Sequence, residues 1–174
     1  MRPAHLLTIL DREFRSTREG HHTPVMLWGP PGVGKSQMVA QIAARHGVPM
    51  TDIRLSQMEP SDLRGIPFRV GEHVEWAVPA MLPDAERHGP EGILFLDELS
   101  SLSLPIQAKV LKVIEDGSIR RLGGNKPIPV DVRIIPATNR DLEPMVIHGT
   151  FREDLYYRLN VLPTRIAPLR DKRE

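Results

Sequence analysis

The sequence contains no cysteine, and this absence removes several kinds of chemistry. Without thiols there is no disulfide, no cysteine nucleophile and no zinc site built on thiolate ligands. Aromatic residues make up only 5% of the chain, and no run of basic residues is interleaved with them. The 23 Lys and Arg residues nearly balance the 22 Asp and Glu residues, for a formal net charge of +1. The charge therefore gives no electrostatic basis for direct DNA binding.

Long hydrophobic runs are also missing. No apolar stretch approaches the roughly 20 residues that a membrane-spanning helix needs. Charged residues at positions 11–13 interrupt the N-terminal segment before the core of a signal peptide could form. We therefore expect a cytoplasmic protein without a membrane partner. At 174 residues, of which 40% are hydrophobic, the chain suits a single domain over residues 1–174.

Residues 29–36 read GPPGVGKS and match the phosphate-loop pattern G-x-x-x-x-G-K-[S/T] at every position. An apolar run at residues 25–28 precedes the loop and a helix-forming segment at residues 37–46 follows it, a context that disfavours a simple Gly- and Pro-rich turn. Such a loop directs backbone N–H groups and its lysine at phosphates, and its serine at Mg²⁺. The motif predicts a site for ATP and Mg²⁺, in which Ser36 also binds the metal. The predicted nucleotide-binding residues are Gly29, Pro30, Pro31, Gly32, Val33, Gly34, Lys35, Ser36 and Gln37.

An acidic motif follows a second apolar run, at residues 93–96. Asp97 and Glu98 end this run, the form that a Walker B element takes. Asp97 is then predicted to hold Mg²⁺ and Glu98 to polarise the attacking water. The alternative is a strand that merely ends in an acidic helix cap. A later strand runs into Asn139, whose amide either orients the same water or only forms a turn.

Strands and helices alternate along the chain, which predicts a doubly wound α/β fold with the ligand at the carboxyl ends of parallel strands. The hydrophobic periodicity predicts helices at residues 3–18, 37–46, 80–88, 104–115 and 152–159. It predicts strands at residues 25–28, 51–55, 74–78, 92–96, 132–135 and 161–166, with a hairpin around residues 123–125. The Pro- and Gly-rich residues 59–71 are expected to be irregular.

With these motifs in this order, the sequence resembles the AAA+ ATPases. The resemblance implies a P-loop NTPase fold, an AAA+ core with a parallel five-stranded sheet flanked by helices. Its N-terminal half resembles the MoxR-type ATPases, most clearly in LSQMEPSDLRGIP at residues 55–67 and WAVPAMLP at residues 76–83. From about residue 97 it resembles the sigma-54 activators, or bacterial enhancer-binding proteins, most clearly in GTFREDLYYRLNV at residues 149–161.

The sigma-54 activator resemblance implies catalytic roles for three further residues. Arg152 and Arg158 would reach the nucleotide of the neighbouring subunit in a homo-oligomeric ring, and Asn139 would be sensor 1. A guanidinium stays charged and can stabilise the charge that develops on a transferred phosphoryl group. Without the resemblance, the same segment predicts an amphipathic helix whose arginines form surface ion pairs.

The sequence departs from the sigma-54 activator pattern in two places. It has no G-A-F-T-G-A loop, which in that family lies between the two nucleotide motifs and contacts the sigma factor. We therefore expect that the chain does not open sigma-54 promoters. The sequence stops at residue 174, where AAA+ proteins begin their helical lid. We expect an AAA+ core that lacks the lid and hydrolyses ATP weakly.

Three hypotheses about function follow. The leading one is a MoxR-like ATPase that assembles into a ring and remodels an unidentified partner protein. The second is the central ATPase module of a sigma-54-dependent transcriptional activator. The third is a nucleotide-binding module without turnover.

Overall fold

The computed structural model describes residues 3–16, 22–57, 66–70, 73–77, 91–116, 118–120, 127–129 and 131–168. In these ranges the helices are α1 (Pro3–Ser16), α2 (Lys35–His46), α3 (Leu104–Asp116), α4 (Glu143–Ile147) and α5 (Glu153–Leu159). The strands are β1 (Val25–Trp28), β2 (Met50–Arg54), β3 (Ile66–Val70), β4 (His73–Ala77), β5 (Glu91–Asp97), β6 (Ser118–Arg120), β7 (Pro127–Pro129), β8 (Asp131–Thr138) and β9 (Leu162–Arg165).

The central sheet has five parallel strands in the order β2-β5-β8-β1-β9. Every residue of β1 is buried, because helices cover both faces of this strand, which is why its sequence is continuously apolar. Strands β5 and β1 flank β8, and the carboxyl ends of all three meet at one edge of the sheet. The predicted doubly wound α/β fold is confirmed.

Two hydrophobic clusters lie on opposite faces of this sheet. The first joins α1 and α2 to one face and includes Leu6, Leu10, Ile42 and Phe95. The second joins α3, α4 and α5 to the other face and includes Phe151. Parallel strands need such crossover helices, and each amphipathic helix buries its apolar stripe against the sheet.

Two elements of the structure were not predicted from the sequence. Residues 66–70, expected to be irregular, form β3, which pairs antiparallel with β4. Pro67 hid this strand, yet a two-stranded hairpin consists of edge strands, where a residue without an N–H is tolerated. The short helix α4 was not predicted at all, and it has a proline in its first turn, where proline is favoured.

The remaining predicted elements agree with the structure to within two or three residues. Strands β6 and β7 pair antiparallel, as the hairpin predicted around residues 123–125 requires. The helix predicted at residues 80–88 lies outside the described residues. Over the part of the chain that the structure describes, no helix is both long and apolar enough to cross a membrane.

Candidate nucleotide site

The loop after β1 has the backbone that its glycines predict. Gly32 and Gly34 have φ angles of +76° and +86°, in the left-handed region that glycine adopts at no steric cost. Gly34 directly precedes α2, and Met38 is bonded through its N–H to the carbonyl of Gly34. The N–H groups of the first helical turn have no partner within a helix. The loop and helix therefore present the geometry that binds phosphate groups.

Lys35 lies inside this loop and is only 7% exposed. Its Nζ donates to the carbonyl oxygens of Gly29 and Pro30, at 3.0 and 3.2 Å. The ammonium group is thus held over the segment that the phosphates of a nucleotide would approach. Ser36 is half-buried and Gln37 is exposed on the following turn.

The junction between β1 and the loop, at Trp28 and Gly29, is hydrogen-bonded to both neighbouring strands. Gly29 N donates to Thr138 O of β8 at 3.1 Å, and Ile166 N, just after β9, donates to Trp28 O at 2.7 Å. A Cβ atom on Gly29 would lie 3.1 Å from Cβ of Ile166 and 3.2 Å from its carbonyl oxygen. Only glycine fits here without displacing the chain, so the loop begins at a fixed point on the sheet edge.

The acidic pair ends β5 at the same edge. Asp97 Oδ1 accepts a hydrogen bond from the N–H of Glu98 at 2.9 Å. Glu98 has φ +59°, and within the described residues no other non-glycine residue has a positive φ. A left-handed backbone costs a residue with a side chain about 1–2 kcal/mol. This strained turn ends the strand and sets the direction of the Glu98 side chain, and such strain is concentrated at functional sites.

Asn139 follows β8 directly and is exposed. The residue before it, Thr138, is fully buried, and its Oγ1 accepts a hydrogen bond from Arg140 N at 3.2 Å. This turn fixes the backbone on both sides of Asn139. Because β8 lies between β5 and β1, Asn139 stands between the acidic pair and the phosphate loop.

The residues at this sheet edge suit Mg²⁺ as an ion shared with a nucleotide. Magnesium is usually held by one or two protein oxygens, together with phosphate oxygens and water. Ser36 and Asp97 offer such oxygens. Among the described residues, no group of three or more His, Cys, Asp or Glu side chains is placed to hold a metal ion.

The two arginines of the C-terminal segment are exposed, Arg152 directly before α5 and Arg158 within it. Arg152 makes an ion pair with Asp154, with Nε–Oδ1 and NH2–Oδ2 distances of 3.0 and 2.6 Å. These hydrogen bonds hold the pKa of Arg152 above its ordinary value and the pKa of Asp154 below its own. Both side chains are more than 40% exposed, so water and salt screen the pair and it adds little to the stability of the fold. The structure therefore contains part of the surface ion pairing that the sequence alone predicts.

The role of the buried polar residue Gln107 was not predicted from the sequence. Gln107 of α3 is 0% exposed, and its side-chain oxygen accepts a hydrogen bond from the backbone N–H of Arg152. The signal was present in the helical pattern, because Gln107 occupies the stripe formed by Val110, Leu111 and Ile114. A polar side chain in an apolar stripe must find hydrogen-bond partners inside the protein.

Comparison with known proteins finds relatives among bacterial transcription regulators. A family profile described as the Sigma-54 interaction domain matches residues 85–165. Nitrogen fixation protein AnfA of Azotobacter vinelandii is 57% identical over 81 residues, which are 47% of this chain and 15% of AnfA. A Nif-specific regulatory protein of Rhizobium leguminosarum bv. trifolii is 35% identical over 159 residues, which cover 87% of this chain and 44% of that protein. The chain thus spans less than half the length of these relatives.

Solved structures with a similar fold are also found. The structure of NtrX from Brucella abortus superposes with a TM-score of 0.73 and 30% identity, over 99% of this chain and 38% of NtrX. NtrX in complex with ATP superposes with a TM-score of 0.70 and 33% identity, over 95% of this chain and 37% of NtrX. The Hsp104 complex with ATPγS, at 17% identity and a TM-score of 0.65, shares the fold.

The matches bear on the predicted division of the sequence between two families. An alignment over 87% of a 174-residue chain necessarily includes the span between α2 and β5, so the similarity to a Nif-specific regulator extends into the N-terminal half. The MoxR-type resemblance of that half receives no support from these matches. The chain has the fold of an AAA+ P-loop NTPase core, and its C-terminal half resembles the AAA+ domain of the sigma-54 activators.

Proposed function

We propose that this chain binds and hydrolyses ATP as the AAA+ module of a sigma-54-dependent transcriptional activator. One observation carries the proposal. The phosphate loop, the Asp97–Glu98 turn and Asn139 stand at adjoining strand ends, in a chain whose residues 85–165 match the Sigma-54 interaction domain. The proposal therefore replaces MoxR-like remodelling as the leading hypothesis.

Each residue of the sheet edge has a chemical role in this proposal. The loop N–H groups and Lys35 bind the phosphates, where Nζ exchanges its carbonyl partners for phosphate oxygens. Ser36 and Asp97 would hold Mg²⁺, which supplies positive charge beside the phosphates. Glu98 accepts the proton of the attacking water, and Asn139 orients that water.

The arginines Arg152 and Arg158 complete the site of a neighbouring subunit in this proposal. Both side chains are exposed, so they are open to contact with a second copy of the chain. The weak Arg152–Asp154 pair can be exchanged for a phosphate group on assembly. A guanidinium supplied in this way raises turnover by roughly 10³- to 10⁵-fold in related phosphoryl transfers.

Assembly into a homo-oligomeric ring predicts that ATPase activity per chain rises with protein concentration. Arg158→Ala should bind ATP normally and lose turnover, because the neighbouring site lacks its charge. Adding Glu98→Gln, which retains both arginines, should restore part of the activity at the intact Glu98 of the Arg158→Ala chains. Phosphate release measured across a dilution series, with the oligomeric state determined by light scattering, checks this prediction.

Arg45→Ala provides the matched control, since Arg45 is an exposed arginine on α2, away from α5. It should keep the wild-type dependence on concentration. If turnover per chain stays constant down to a demonstrated monomer, the arginines do not act on a neighbouring subunit.

A second candidate function is the remodelling of a different protein partner. The observation in its favour is that no G-A-F-T-G-A sequence occurs anywhere in the chain. The hairpin of β3 and β4 lies between the two nucleotide motifs, where that loop is expected. Under this candidate the ATPase is the same and only the partner differs.

A transcription assay with sigma-54 RNA polymerase separates the two candidates. The purified chain and ATP are added to the polymerase on a closed promoter and on one already melted next to the start site. ATP-dependent transcripts from the closed template support the activator proposal. Measurable ATP hydrolysis without such transcripts, in agreement with the expectation from the missing loop, supports the second candidate instead.

A further inference from the structure

The side chain of Gln107 connects two segments that the proposed mechanism uses. Its Nε2 donates to Leu102 O at 2.8 Å and to Thr150 O at 3.1 Å. Its Oε1 accepts from Arg152 N at 2.7 Å. The residue is 0% exposed, so water does not compete for these bonds.

The first partner belongs to the turn that follows the acidic pair. Leu102 ends the short 3-10 turn Leu99–Ser101, and the N–H of Ser101 donates to the carbonyl of Glu98 at 2.8 Å. Leu99 and Leu102 are buried in the cluster that packs on the sheet. The carbonyl of Leu102 is therefore a fixed anchor close in sequence to Glu98.

The other two partners flank Phe151, which is 1% exposed. The N–H groups of Thr150 and Phe151 both donate to Met145 O, at 2.9 and 3.0 Å. These bonds fix the backbone up to residue 151, but the N–H of Arg152 is held by Gln107 alone among the bonds of the described residues. The amide of Gln107 thus determines where the chain enters α5.

The chemistry of the three partners requires a primary amide. Two carbonyl oxygens need donors and one N–H needs an acceptor, and only Asn and Gln offer both from one planar group. A carboxylate would set an oxygen against two carbonyls, and an aliphatic side chain would leave three buried polar groups unpaired.

We propose that Gln107 is a positioning residue, which holds Arg152 at the angle needed to reach a neighbouring nucleotide and uses the turn after Glu98 as its anchor. This inference rests on the proposed function, because it assigns Arg152 to the site of the next subunit. A displacement of about 1 Å in a catalytic group can reduce turnover by up to about 100-fold.

Mixed assemblies separate this positioning role from a general structural one. In such a mixture, a site is complete only where an Arg158→Ala chain supplies Glu98 and a neighbouring Glu98→Gln chain supplies the arginines. Only the interfaces between these two kinds of chain are therefore active. We expect that adding Gln107→Met to the Glu98→Gln chain lowers the restored activity between about tenfold and 100-fold. Adding it to the Arg158→Ala chain, whose own arginines are already incomplete, should have a much smaller effect. Equal losses in the two arrangements would overturn the proposal, since they would indicate a general loosening of the fold.

A second readout does not depend on assembly. In Gln107→Met, hydrogen exchange at the Arg152 amide should accelerate by about tenfold or more, because its acceptor is gone. Unchanged exchange would overturn the proposal, and so would faster exchange combined with full restoration by the mixed chains. Gln41→Met makes the same chemical change at an exposed position of α2 and should alter neither readout. Gln107→Asn keeps a primary amide but is one methylene too short for all three bonds, and it serves if Gln107→Met does not fold.

Failure of the proposed function can be distinguished from failure of the proposal for Gln107. If wild-type chains and the Glu98→Gln and Arg158→Ala mixture give no ATP hydrolysis, the proposed function fails. The exchange data then decide the anchoring alone: faster exchange at the Arg152 amide in Gln107→Met supports it, and unchanged exchange there overturns it.

Discussion

Replacing Lys35 with alanine should abolish measurable binding of ATP at micromolar concentrations. The side chain is 7% exposed and its Nζ already bonds to two loop carbonyls, so it is held where phosphates would enter. Hydrogen bonds to charged groups contribute about 1.5–3 kcal/mol each. The loss of one or two of them weakens binding by roughly 10-fold to more than 10⁴-fold. Titration calorimetry with Mg-ATP measures this change directly.

The control for Lys35→Ala must show that the loop still folds. Removing Nζ leaves the carbonyls of Gly29 and Pro30 without this donor, so thermal unfolding of the variant should be compared with that of the wild type. Lys112→Ala removes an exposed lysine from α3 and should bind ATP normally. Equal affinity of Lys35→Ala and wild type would refute the assignment of the phosphate site.

The phosphate loop could be predicted from sequence because its geometry is local. Gly32 and Gly34 provide the positive φ angles that the tight loop needs, and the buried strand β1 appears in the sequence as four consecutive apolar residues. The same reasoning located Asp97, since a strand buried on both faces ends where polar residues begin. These features depend on neighbours along the chain and not on distant contacts.

Features that depend on distant contacts were not predicted. The left-handed backbone of Glu98 is set by its turn and not by its residue type, and the bonds of Gln107 cross more than 40 residues to Thr150 and Arg152. The pairing of Arg152 with Asp154 was foreseen only as a general ion pair. Strand β3 was missed because Pro67 is unfavourable in the interior of a sheet. Proline is tolerated here because β3 pairs with β4 alone and is an edge strand, which cannot be read from the sequence.

Family assignment from short signatures was less secure than the fold. The segment at residues 149–161 is long and lies within the span that matches the Sigma-54 interaction domain. The signatures at residues 55–67 and 76–83 are shorter and rich in Pro and Gly, which many loops share. They indicated the MoxR-type ATPases, whereas the alignment with a Nif-specific regulator includes both.

Replacing Glu98 with glutamine should leave ATP binding unchanged and reduce hydrolysis by roughly 10²- to 10⁴-fold, the usual contribution of a general base. The substitution removes the group that accepts the proton and leaves the local structure unchanged. Glutamine has the same shape and the same backbone preference, so the turn at φ +59° and the bond from the residue 98 N–H to Asp97 should persist. An amide oxygen can still accept a hydrogen bond from water, but it does not take up the proton.

Two measurements on the same protein test this expectation. Calorimetry should give the wild-type affinity for Mg-ATP, and single-turnover hydrolysis should show the loss in the chemical step itself. Glu115→Gln, which changes an exposed glutamate near the end of α3, is the matched control and should hydrolyse ATP at the wild-type rate. If Glu98→Gln retains more than about a tenth of wild-type turnover, the water is activated by another group, and the strained turn at Glu98 then serves the fold and not the reaction.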